Sequence, residues 1–201
     1  MASNFSIKLI FSDSNIIYDK NSGLDMVSPH SETTADNVLP NYGVISRSGK
    51  VSFFDYEDKL LNKITAREYP TEIEIYENGV LFGKYISTKK YGYNIFTKQV
   101  NIELQGNITN WQAIRVEKKD ISYDQTAYQI LEWMIAKQTV VSSISDLNMS
   151  TDVADFLKSI TVPYFYLDSD TLWEQFNKLC NLAQLRIYQD KFNKVTIERY
   201  Q

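Results

Sequence analysis

A chain of 201 residues, 43% apolar and 23% charged, can bury a core without staples, and 14 Tyr and 10 Phe against 7 Gly and 4 Pro argue against an all-helical fold. The formal charge of −4 comes without any run of Lys or Arg, since Lys89-Lys90 and Lys118-Lys119 are isolated pairs, so specific nucleic-acid binding is not expected. The lone Cys180 excludes an intrachain disulfide, and no apolar stretch approaches a membrane span or a secretion signal, so a soluble protein is expected.

Residues 5–11 (FSIKLIF) alternate, with Phe5, Ile7, Leu9 and Phe11 on one face, and predict a strand that Ile16 to Tyr18 briefly continue. From Asp19 to Pro40 the composition turns to Ser, Asn, Asp and Thr and the period vanishes, which predicts a long surface loop. Within it SETTADN (31–37) has no apolar anchor and reads as an arm that orders against a neighbour. VISRSGKVSFFD (44–55) resumes the strand signal, with Gly49 suggesting a bulge or tight turn, and DKLLNKI (58–64) has room for one or two helical turns before Pro70.

The strongest pattern is residues 71–105. Ile73 and Ile75 precede Asn78-Gly79 and Val80 to Phe82 follow it, the signature of a type I′ hairpin. After Ile86 come Lys89, Lys90 and Gly92, and then Val100, Ile102 and Leu104 alternate with Asn101 and Glu103 as a third strand. Trp111, Ile114 and Val116 read as a seal over an open end of the sheet.

At Asp120 the period changes. Ser122 or Asp124 can cap a helix over about 125–137, with Ala127, Leu131, Met134 and Ile135 on its inner face and Tyr128 alongside. Thr151 or Asp152 can cap a short helix that turns Val153, Phe156, Leu157 and Ile160 inward and stops before Pro163. Asp170-Thr171 cap a second main helix, about 171–184, which buries Trp173, Phe176, Leu179, Cys180 and Ala183, with Glu174 and Lys178 as an i,i+4 pair. Residues 185–188 and 195–197 form a terminal hairpin around Asp190 to Asn193. Two endings are open: a sheet that stops here, or a fragment whose next strand is missing.

Candidate chemistry is sparse. His30 is the only histidine, so neither a Ser-His or Cys-His pair nor a multi-histidine metal site can form within one chain, and it reads as an exposed or interface loop residue. Asp168 and Asp170, with Asp13, Asp19 and Asp25 as loose carboxylates, have some of the donors of a cation site, but Asp170 is expected to cap a helix. Glu72, Glu74 and Glu77 suggest a glycosidase pair, against which Glu72 and Glu74 should face outward from a strand whose inner face is Ile73 and Ile75. Gly79, Gly83, Gly92 and Gly106 form no nucleotide fingerprint and read as turn residues. Phe53, Phe54, Tyr56, Tyr76, Phe82, Tyr85, Tyr91, Tyr93 and Phe96 are either a sugar-stacking platform or strand packing. Cys180 reads as a small core residue with no base to activate it. No catalytic, cofactor or metal residue is assigned.

The pattern of TADNVLPNYGVISRSGKVSFFDYEDKL (34–60), EIEIYENGVLFGKYIS, QVNIELQGNITNWQAIRV (99–116), DQTAYQILEWMI and TLWEQFNKLCNLAQLRIYQDKFNKVTIERY resembles the N-terminal part of bacteriophage tail hub and baseplate proteins. The resemblance implies an α+β, mainly β fold: an antiparallel, tail-tube-like β-barrel over 1–117 with an arm at 19–40. A helical insertion and part of a second β unit would follow over 118–201. It further implies a non-enzymatic virion subunit made in the host cytoplasm, a homo-oligomer with a trimer favoured, ringed around the tail axis and touching other tail proteins. Edge strands would pair between subunits, and a mildly acidic lumen would let DNA pass. The alternatives are a carbohydrate-binding module using Tyr91 and Tyr93, and a carboxylate-dependent cell-wall hydrolase.

Overall fold

The computed structural model describes residues 4–34, 43–115, 121–166 and 171–199. In chain order the elements are β1 (Phe5–Ile10), β2 (Asn15–Asp19), β3 (Leu24–Thr34), β4 (Gly43–Phe54), α1 (Lys59–Thr65), β5 (Glu72–Glu77), β6 (Val80–Asn94) and β7 (Gln99–Gln105). There follow β8 (Ile121–Thr126), α2 (Ala127–Ile135), β9 (Asn148–Met149), α3 (Thr151–Ser159), β10 (Thr161–Tyr166), α4 (Leu172–Ala183), β11 (Leu185–Gln189) and β12 (Val195–Arg199). The fold is α+β and mainly β. It has two compact units, and neither is one continuous length of chain: Met1–Glu32, Arg47–Gly106 and Lys191–Asn193 make the first, and Thr33–Ser46, Asn107–Asp190 and Lys194–Gln201 the second.

In the first unit the strands run β2-β1-β5-β6-β7-β4, with β3 on β4. The ladders that join β1 to β2 and β5, β5 to β6, β6 to β7 and β7 to β4 are all antiparallel. Asn78 (φ 50) and Gly79 (φ 79) turn the chain from β5 into β6, the backbone that a type I′ turn requires. Instead of breaking at Lys89-Lys90, β6 is one strand of 15 residues that pairs first with β5 and then with β7. Register shifts at Ile75/Tyr76 and between Ser87 and Tyr91 let it bend. Gly49, the expected bulge, keeps regular register opposite Leu104. The buried positions alternate as a pleated sheet dictates, placing Ile7, Leu9, Val51, Phe53, Ile73, Ile75, Val100, Ile102 and Leu104 in one core, with Leu60 of α1 added to it.

Three expectations change here. Ile16 to Tyr18 do not continue β1: the chain turns back through the Phe11 N–H···O=C Ser14 bond (2.8 Å), so they lie antiparallel to it. Part of the expected loop is β3, docked by the bond from Phe54 N–H to the Gly23 carbonyl (2.8 Å). Sequence periodicity missed this strand because an edge strand is held by backbone bonds and does not need an apolar alternation. The rest of the expected arm, 35–40, lies outside the described residues. Lastly, among the described residues no ladder joins β2 to β3, so the barrel is not closed by hydrogen bonds. Side chains bridge instead, Tyr18 of β2 stacking on Phe53 of β4 with ring centroids 4.1 Å apart.

In the second unit β11 and β12 form the expected antiparallel hairpin, but two parallel ladders flank it: β9 on β12, and Gly43 to Ile45 of β4 on β11. Parallel pairing needs a long crossover, which the separation of these segments in the chain supplies. A separate antiparallel pair joins β8 to β10, so Pro163 lies within a two-stranded sheet and α3 ends before it, at Ser159. Capping of α2 and α3 departs from the expected residues. Thr126, not Ser122 or Asp124, caps α2 in a capping box with Gln129, and Ser150, not Thr151 or Asp152, caps α3. Thr171 caps α4 in a box with Glu174, while Asp170 lies outside the described residues.

The second core gathers Ala127, Ile130, Leu131, Met134, Leu172, Phe176, Leu179, Cys180, Leu185 and Ile187. Trp111, expected to seal the β-rich half, is buried here, stacked on Phe176 at 4.1 Å with its indole N–H donating to Gln138 Oε1 (3.2 Å). Asn177 and Gln189 fasten backbone from elsewhere in this unit, their side-chain oxygens accepting from Val44 N–H (2.7 Å) and Ile108 N–H (2.9 Å). Among the described residues no helix is long and apolar enough to cross a membrane.

Candidate assembly surface

The sequence candidates do not converge on one site. Glu72 and Glu74 share a face of the first unit with two lysines: Lys84 Nζ lies 2.8 Å from Glu72 and 2.9 Å from Glu74, and Lys8 Nζ 3.3 Å from Glu74. Tyr76 adds a hydroxyl bond to Glu74 (2.7 Å). Glu74 is therefore buried under its partners rather than solvated. Burial raises its pKa, but the bonds from Tyr76, Lys84 and Lys8 outweigh that and hold it below its ordinary 4.5. A glycosidic general acid needs the opposite shift.

A group whose folded pKa is depressed stabilises fully above its unfolded pKa and loses that contribution as pH falls through the folded value. We expect acid unfolding to steepen below about pH 4.5, and Glu74→Gln to flatten that limb in a circular-dichroism pH titration.

The acidic loop residues serve locally. Asp13 pairs with Lys63 (2.8 Å), Asp19 accepts from the backbone of Asn21 (2.9 Å) and Ser22 (2.8 Å), and Asp25 accepts from Ser52 Oγ (3.5 Å). Among the described residues no three metal-ligating groups cluster. Asp168 lies outside them, and of His30 only the backbone, in β3, is described. The aromatic series also divides: Phe53 and Tyr85 are core, and Tyr91 and Tyr93 pack against it. Of the others, Tyr56 and Phe96 are exposed. Cys180 is buried in the second core, as expected.

What the structure does assemble is a braced corner at one end of the first unit. Asp55, 1% exposed, accepts the Tyr18 hydroxyl on Oδ1 (2.6 Å) and Leu61 N–H on Oδ2 (2.9 Å), locking β2 and α1 to the end of β4. Burial, then the Asp55 bond, push the Tyr18 hydroxyl well above the ordinary range. Asp58 takes Lys98 Nζ at 2.6 and 2.8 Å and the Tyr93 hydroxyl at 3.1 Å. Its carboxyl is held below 3.8, first by Lys98, while burial and the Asp58 bond raise Tyr93 to about 12.

The Lys98 carbonyl accepts from Asp55 N–H (2.9 Å), and Asn94 Oδ1 accepts from Phe96 N–H (3.0 Å) and Thr97 N–H (3.2 Å). The β6–β7 turn is thus pinned on both sides, yet it presents Phe96 at 98% exposure and Ile95 at 67%. A stiff turn carrying bare apolar side chains suits contact with another protein. Sequence reasoning counted Phe96 only among the aromatics. The polar Asn94 and Thr97 around it were the available signal of a turn.

Neither a family model nor a curated protein matches the sequence. Solved structures do match. The 43 kDa tail protein of prophage MuSo2 from Shewanella oneidensis superposes with TM-score 0.58 over 100% of this chain at 10% identity. The tail protein from Neisseria meningitidis does so with 0.56 over 96% at 9% identity. The fold is that of phage tail proteins. A chain of the Francisella PdpA-VgrG complex shares this tail-protein fold, with TM-score 0.55, 12% identity and 98% of the chain covered. The present chain spans about half of the two tail proteins (56% and 50%) and 28% of the Francisella chain. The resemblance drawn from sequence patterns is met at the level of fold.

Proposed function

We propose that this chain is a structural, non-enzymatic subunit of a phage tail tip or baseplate hub, assembling with copies of itself in a ring around the tail axis, three copies favoured, and linking the tail tube to distal tail proteins. The observation that carries this reading is the tail-protein fold, matched over the whole length of the chain. Two features of the molecule support it. The acids Glu72 and Glu74 are spent on lysines, and the outer edges of β2 and β3 bear no strand among the described residues, which leaves backbone donors and acceptors for a neighbour. Such a subunit would be a virion component. Immunogold electron microscopy of phage particles tests it: label at the tube's distal end is the expected result, and particles that carry no label overturn it.

A further inference from the structure

Four large apolar side chains are exposed at the braced end of the first unit: Ile17 (58%), Tyr56 (66%), Ile95 (67%) and Phe96 (98%). The β4–β7 ladder ends at Phe54 opposite Gln99 and is prolonged by the Asp55 N–H bond to the Lys98 carbonyl, which brings Tyr56 beside the β6–β7 turn. Ile17 and Tyr56 line a depression of about 140 Å³ together with Tyr18, Asn21, Ser22, Asp55 and the ion-paired Glu57 and Lys59. That volume is close to the roughly 150 Å³ that accepts a benzene ring inside a protein.

We propose that this end of the unit is a self-association surface, in which Phe96 of one copy enters the depression between Ile17 and Tyr56 of the next. The four side chains expose on the order of 500 Å², against about 800 Å² per partner in a stable interface. They supply the apolar centre, and the polar rim supplies the remainder. Knob and depression are different residues, so insertion in one direction is a head-to-tail contact, which closes into a ring when the rotation between successive copies closes. The turn backbone is ordered before contact, because Asn94 and the Lys98–Asp58 pair already hold it, which lowers the cost of association.

This inference rests on the self-assembling reading above and adds where the copies touch. Sedimentation velocity of the full chain tests it with two variants, both checked by circular dichroism. Phe96→Ser removes the knob, and Asn21→Trp fills the depression while leaving the backbone bond from Asn21 to Asp19 intact. Each variant alone is expected to associate at least tenfold more weakly than the parent. An equimolar mixture should recover association, since a knob from one and a depression from the other still fit. Variants that associate like the parent, or a mixture no better than its components, overturn the proposal. A parent chain that stays a single copy at about 100 μM overturns it too, and tail-tip labelling separately decides whether the chain is a virion subunit.

Discussion

Replacing Trp111, the largest fully buried side chain among the described residues, with alanine is expected to destabilise the second unit by about 3–5 kcal/mol. The indole is fully buried and stacked on Phe176, so its removal leaves a cavity that two helices and a hairpin cannot close without moving. It also strips a donor from Gln138, a buried amide whose Oε1 further accepts from Val140 (2.6 Å) and Val141 (3.0 Å) N–H groups and whose Nε2 donates to the Ile135 and Val141 carbonyls (2.8 Å each). That amide ties the end of α2 to the chain beyond it, so the loss should spread to the α2 C-terminus. Urea denaturation followed by near-ultraviolet circular dichroism gives the magnitude. Trp111→Phe keeps a ring against Phe176 and forfeits the indole bond, and it should cost about 1–2 kcal/mol. Equal losses for the two variants would mean that the hydrogen bond, not the packing, dominates.

Gly23→Ala should cost the first unit about 2–4 kcal/mol, for two separable reasons. At φ +108 an L side chain is strained in itself, and a Cβ there would stand 2.5 Å from the Phe54 carbonyl oxygen, backbone that cannot rotate away. Relief requires β3 to move off β4, which breaks the Phe54 N–H bond to the Gly23 carbonyl. Gly79 is the control: its φ is also positive (+79), but nothing lies within 4 Å of the added Cβ, so Gly79→Ala should cost only about 1 kcal/mol. Hydrogen exchange at the Phe54 amide would show the difference directly, with faster exchange in Gly23→Ala and little change in Gly79→Ala. Similar losses at both glycines would remove the argument that close packing of β3 on β4 sets the cost.

The hairpin at Asn78-Gly79, the inner faces of α2 and α4 and the terminal hairpin were all legible in the sequence, because each is decided by residues within a dozen positions of one another. Local steric preference and periodicity are sufficient there. The cap of α4 was legible at Thr171, but those of α2 and α3 were legible in type and not in position, since several Ser, Thr and Asp residues compete near each start and only the first committed turn chooses among them. Little of the candidate surface could be read. Exposure of Phe96 depends on nothing covering a turn, and no residue near it in sequence states that.

The sequence by itself determined that this protein is a β-rich α+β chain with two main helices, and which residues form most of its strands. Tertiary structure alone decided that β3 is a strand, that Trp111 belongs to the helical core, that the start of β4 and β9 pair in parallel with β11 and β12, and that Glu74 is a buried carboxylate paired with lysines. The physical reason is common to all four. Each outcome depends on partners far away in the chain, Phe54 for Gly23, Phe176 for Trp111, Arg186 to Tyr188 for the start of β4, and Lys8 for Glu74. Free energies from long-range pairing and burial exceed the few tenths of a kcal/mol by which local sequence prefers one conformation to another.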